Sequence, residues 1–77
     1  MKFNQNIFEF YNWINSVVEI KYIEFILCDM DAGRCFVCNS KAEVLSVLHN
    51  EISMQRLYRN EYDVKILEIH VRKEVFE

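Results

Sequence analysis

Three cysteines and two histidines are the residues best suited to metal or redox chemistry in this chain. Cys35-Phe-Val-Cys38 has the C-x-x-C spacing, and Cys28, His49 and His70 are candidates to complete a zinc site. Zinc requires its ligands to converge on one point at about 2.0–2.3 Å. Residues three apart on a β-strand point to opposite faces, and the Phe-Val spacer is apolar rather than turn-forming. Thioredoxin-type redox pairs sit at a helix N-terminus, whereas Arg34–Cys38 reads as strand. We therefore read the thiols as structural, with no metal and no cofactor, and keep a cysteine-ligated zinc module as an alternative.

Nucleophilic catalysis needs a Cys or Ser beside a positioned base. Nothing local ties His49 or His70 to a nucleophile, and no glycine-rich phosphate loop is present. The chain is read as non-enzymatic. Lys41, Arg56 and Arg59, with Tyr58 between the arginines, form a small basic-aromatic group. It suits a phosphate or an acidic partner, or merely a solvated helix end where cations complement the dipole.

The elements that position these residues follow from spacing. Ile7, Phe10, Tyr11, Ile14, Val17 and Val18 recur at steps of three and four, one face of a helix, and Asn6 with Glu9 resembles a capping box. Angular placement leaves Phe8 and Trp13 on opposite flanks of that stripe, and we read both as exposed. Tyr22–Met30 and Arg34–Cys38 read as a β-hairpin around Asp31-Ala32-Gly33, with Gly33 at positive φ. That loop would set Cys28 against Phe36, Leu27 against Val37 and Ile26 against Cys38. Ser40 and Glu43 start a second helix at Lys41, with Val44, Leu45, Leu48 and Ile52 as its buried stripe. Met54–Arg59 either extends it or forms a separate turn, and Asn60 is a natural stop. The last strand runs from Tyr62 to about Val75. Val64 and Ile66 share one phase and Leu67, Ile69 and Val71 the other, so either both faces are buried or a bulge lies near Ile66-Leu67. The expected fold is one α+β domain over residues 1–77, ordered α-β-β-α-β. Its three-stranded sheet has order 2-1-3 and two helices.

Composition bounds the function classes. The 77 residues are 52% hydrophobic, with one glycine and no proline, which excludes a disordered tail or a repeat array. Nine Lys+Arg against twelve Asp+Glu give net −3, which argues against direct nucleic-acid or membrane-surface binding. The acids are dispersed, so mimicry of a DNA duplex is not favoured. Met1-Lys2 leads into Asn4, Gln5 and Asn6 rather than an apolar signal segment, and the odd cysteine count suggests reduced thiols. A cytoplasmic location is expected, the host cytoplasm if the protein is viral.

The strongest functional signal is surplus apolar surface. In the expected register Ile23, Phe25, Leu27, Cys35 and Val37 share one hairpin face. Ile26, Cys28, Met30, Phe36 and Cys38, broken by Glu24, share the other. Two short helices either take one face each or both cover one face and leave part of the other open as an interface. The first helix adds Phe8 and Trp13 among Asn12 and other uncharged polar residues, the composition of an interface core. The candidate partner-binding residues are therefore Phe8, Asn12, Trp13, Met30, Phe36, Arg56, Tyr58 and Arg59.

Short, acidic, without proline and rich in Ile, Asn, Glu, Phe and Tyr, the chain resembles in composition the small accessory proteins of phages and mobile elements. That resemblance implies a stoichiometric inhibitor of a host or defence protein, such as a nucleic-acid enzyme, in the manner of anti-CRISPR proteins. A homodimer, or a homo-oligomer holding a small ligand between subunits, is the alternative from a different class.

Overall fold

A computed structural model describes residues 3–29 and 32–72. The elements in chain order are β1 (Phe3–Asn6), α1 (Ile7–Ser16), β2 (Glu19–Asp29), β3 (Ala32–Cys38), α2 (Lys41–Glu51), α3 (Met54–Tyr58) and β4 (Asp63–Arg72). The sheet has four strands in the order β1-β4-β2-β3, every neighbouring pair antiparallel. The expected core of this arrangement is present: the first hairpin strand is central and the last strand lies antiparallel beside it. The expected three-stranded sheet and two helices are corrected to four strands and three helices among the described residues. Two β-α-β crossovers interleave, each skipping one intervening strand.

β1 is the added strand. Its residues Phe-Asn-Gln-Asn carry no hydrophobic alternation, and it exists because it pairs with β4 at the sheet edge. Asn6 ends β1 and caps α1, its side-chain oxygen accepting from the Glu9 N–H at 2.8 Å. Ile7, Phe10 and Ile14 are then buried along one face. The helix has no basic residue in its last turn. Lys41 supplies the cation from a distance, its Nζ donating to the carbonyls of Asn15 (3.2 Å) and Val17 (2.9 Å). Ser40 starts α2 as expected, its hydroxyl accepting from the Glu43 N–H. Met54–Tyr58 is a separate helix, with Ser53 as its own cap. Asn60, at φ 53°, ends α3.

The hairpin register differs from the expected one. Asp29 pairs with Ala32, Cys28 with Gly33, Ile26 with Cys35 and Ile23 with Cys38. Each β2 residue therefore faces a β3 residue three positions earlier than expected. Three is odd, so every β3 side chain changes face. Gly33 lies within the strand, not in the turn, and its φ is not positive. A Cβ there would stand 2.9 Å from Ile26 Cγ2 and 3.6 Å from Cys28 Sγ. Gly33→Val is accordingly expected to cost about 1–3 kcal/mol by crowding, because the Cγ2 of β-branched Ile26 moves only if its stiff χ1 turns. A chemical denaturation curve checks this, and an unchanged midpoint would contradict the close approach.

β4 resolves the phase conflict by an irregularity. Phe25 pairs with Ile66 and Glu24 with Glu68, leaving Leu67 as an extra residue. Lys21 is the corresponding extra residue on β2, so the two offsets cancel. Ile23, Phe25 and Leu27 of β2, Val64 and Ile66 of β4 and Cys38 of β3 face the helices. They join Phe10, Ile14, Val44, Leu48 and Leu57 in one core. All three helices pack on this face, and no helix covers the other among the described residues.

Candidate partner-binding surface

The open face of the sheet is assembled by register. Across the central strands, Tyr22 stands opposite His70, Glu24 opposite Glu68, Ile26 opposite Lys65 and Cys28 opposite Asp63. On the other side, β3 adds Val37 beside Glu24, Cys35 beside Ile26 and Gly33 beside Cys28. The β2–β3 half is therefore largely apolar, and the β4 half is charged. Val37 is 53% exposed, a large exposed value for a strand valine, and Cys35 is exposed as well. Strand β3 is the sheet edge, seven residues long with Arg34 its sole charged group.

The charged half has its own geometry. His70 Nε2 lies 3.0 Å from Glu68 Oε1, and the Tyr22 ring meets the His70 ring edge-on at 5.9 Å. Desolvation by its neighbours, then the charges of Glu24, Glu68 and Cys35, push the Tyr22 hydroxyl above its ordinary value. Asn4, Cys28, Asp63, Val64 and Lys65 line a shallow depression at one end of the strands.

The residues chosen from the sequence fall elsewhere. Phe8 and Trp13, expected to be exposed, are half-buried and pack against the core. The Phe8 ring lies 5.4 Å from Tyr58, and Trp13 stacks 6.1 Å from Phe10. Tyr58 is 63% exposed, and Asn12 is exposed on α1. Phe36 turns toward the helices, not the open face, with its ring 5.5 Å from Phe25 and the Arg34 guanidinium 5.3 Å above it. Met30 lies outside the described residues.

Arg56 is a tether rather than a free cation. It donates to Glu61 at 2.7 Å and Asp29 at 3.2 Å, and its guanidinium sits 4.6 Å from the Tyr62 ring centroid. Those two carboxylates raise its pKa further above an already high value. Arg59 stands 3.8 Å from the same Glu61. Lys41 is bound to the end of α1, so the basic group expected from the sequence is not one cluster. Lys41 opens α2, whereas Arg56 lies in α3 and Arg59 caps its end.

The thiols also separate differently from expectation. Cys38 faces the core, where burial and then Glu43 raise its thiol pKa. Cys28 and Cys35 share the open face as diagonal neighbours rather than Cys28 and Cys38. Diagonal neighbours lie about 7–8 Å apart, beyond disulfide reach without backbone movement. No group of three His, Cys, Asp or Glu side chains converges on a metal position among the described residues.

In the sequence Val37, Cys35, Ile26 and Cys28 stand out as surplus apolar residues but divide between two faces of the expected hairpin. Only the pairing register could have united them. No helix is long and apolar enough to cross a membrane among the described residues. The chain matches no protein-family model, and no match was found among curated proteins or solved structures.

Proposed function

We propose that this chain is a non-catalytic protein-binding module that engages its partner through the open face of the sheet. The observation that carries this reading is the one-sided architecture. Three helices cover one face, while on the other Val37 and Cys35 of edge strand β3 are exposed beside half-buried Ile26 and Cys28 of β2. Contiguous apolar exposure of this kind marks interaction surfaces. The compositional resemblance to small phage accessory proteins supports a stoichiometric inhibitor or regulator, and a cytoplasmic target such as a nucleic-acid enzyme belongs to the same reading.

Val37→Asp tests the surface with little risk to the fold, because the side chain is already more than half exposed. Affinity capture from the native host lysate should recover a partner at near-equal stoichiometry with the unaltered chain. The Val37→Asp variant should bind it about 30-fold more weakly, the effect of losing a 2 kcal/mol hot spot. Tyr58→Ala, on the helical side, should bind normally. Equal capture by Val37→Asp, with loss on Tyr58→Ala, would move the interface to the α1–α3 surface.

A further inference from the structure

The charge pattern of the open face restricts what can cover it. Glu24 and Glu68 stand directly opposite one another on neighbouring strands, a pairing that like charges make unfavourable. Glu24 is half-buried and Glu68 meets His70, and no salt bridge to a lysine or arginine is formed by either among the described residues. Asp63 has Lys65 two residues along β4, and Glu19 stands opposite Arg72 at the other end of this face, so the carboxylate excess lies at Glu24 and Glu68. Glu68 borders the apolar β2–β3 half, and Glu24 stands just inside it on β2, beside Val37. An occupant of that half would be drawn in by its apolar residues and by cations along a single flank.

We propose that the open face is a docking site for an amphipathic helix of another protein, apolar on one side with lysine or arginine along the flank that meets Glu24 and Glu68. This inference rests on the protein-binding reading above and names the partner's chemistry. Size agrees. Two strands about 4.8 Å apart, with their side chains, form a strip matching one helix of about 10 Å diameter. A helix placed there supplies a third layer over a sheet already covered on its other face.

A second copy of this chain lacks the required chemistry. Helix α1 has Glu9 as its only charged residue, α2 places Glu43 and Glu51 against Lys41, and Arg56 of α3 is held by Asp29 and Glu61. The occupant is therefore a different protein.

The test uses two synthetic helical peptides of eighteen residues, one built from Leu and Lys and one from Leu and Glu in the same pattern. They are titrated into the isotope-labelled chain and followed by amide NMR shifts. The Leu/Lys peptide should shift the amides of Tyr22–Cys28 and Gly33–Val37 and bind at least tenfold more tightly than the Leu/Glu peptide. Glu24→Lys/Glu68→Lys should reverse that preference. Glu24→Gln/Glu68→Gln, which keeps side-chain shape, should abolish it. Equal binding of the two peptides, or shifts confined to α1 and α3 or to the β3 edge, would overturn the proposal. So would a dimer in sedimentation that buries the open face. If neither peptide binds while a native partner still requires Val37, the basic-helix inference fails and the protein-binding reading stands. If Val37→Asp also retains that partner, both fail.

Discussion

Phe25→Ala is expected to remove about 3–5 kcal/mol, most of the stability of a domain this small. The residue is fully buried on the central strand, with rings of Phe10 at 5.2 Å and Phe36 at 5.5 Å on either side. It also pairs with Ile66 at the irregularity in β4, so its side chain joins α1, β3 and β4 at one point. Truncation would lose the transfer energy of the ring and leave a cavity. The ladders around it hold the backbone in place, so collapse into that cavity is limited. Trp13 stacks on Phe10 and is the only tryptophan, which makes its fluorescence a direct probe in a urea titration. A loss below about 1.5 kcal/mol would mean that the aromatic cluster is not the centre of the core.

How much of this arrangement was legible in the sequence depends on the range of the interaction concerned. The caps of α1 and α2 are local, since Asn6 and Ser40 each bond an N–H three residues on, and both were readable. The conflict in phase between Ile66 and Leu67 was also readable, and the structure meets it by leaving Leu67 unpaired rather than burying both faces. The hairpin register was not. The only glycine was assigned to positive φ in the turn, the commonest use of glycine, whereas close approach to Ile26 is what a side chain at that position would disturb. That single misplacement moved Phe36 and Cys38 to the wrong face and hid the grouping of Ile26, Cys35 and Val37.

Other misses have a similar origin. A helical wheel places Phe8 and Trp13 off the central stripe, but it contains no information about α3, which brings Tyr58 over Phe8. Arg56 looked free because its partner Asp29 is 27 residues away in sequence. β1 was invisible because an edge strand of four mostly polar residues has no pattern of its own and forms only when β4 is there to pair with it. The candidate surface was thus legible as an excess of apolar residues, and its location was not.

Asn60 offers the sharpest test of how the helical layer is joined to the sheet. It adopts φ 53°, the left-handed region that Asn tolerates and β-branched residues do not. Its side-chain oxygen accepts from the Phe8 N–H at 3.3 Å. Two residues on, the Tyr62 carbonyl accepts from the Ile7 N–H at 3.0 Å. The turn after α3 therefore satisfies the first turn of α1 while it ends its own helix. Asn60→Val combines backbone strain of about 1–3 kcal/mol with the loss of a capping bond worth about 1 kcal/mol. The expected destabilisation is about 2–4 kcal/mol. Asn60→Gly separates the two contributions, because glycine accepts the positive φ and loses only the side-chain oxygen, so its cost should be about 1 kcal/mol. Thermal or urea unfolding of both variants checks the ranking. Equal losses for valine and glycine would place the whole effect in the hydrogen bond to Phe8 and none in the backbone of the turn.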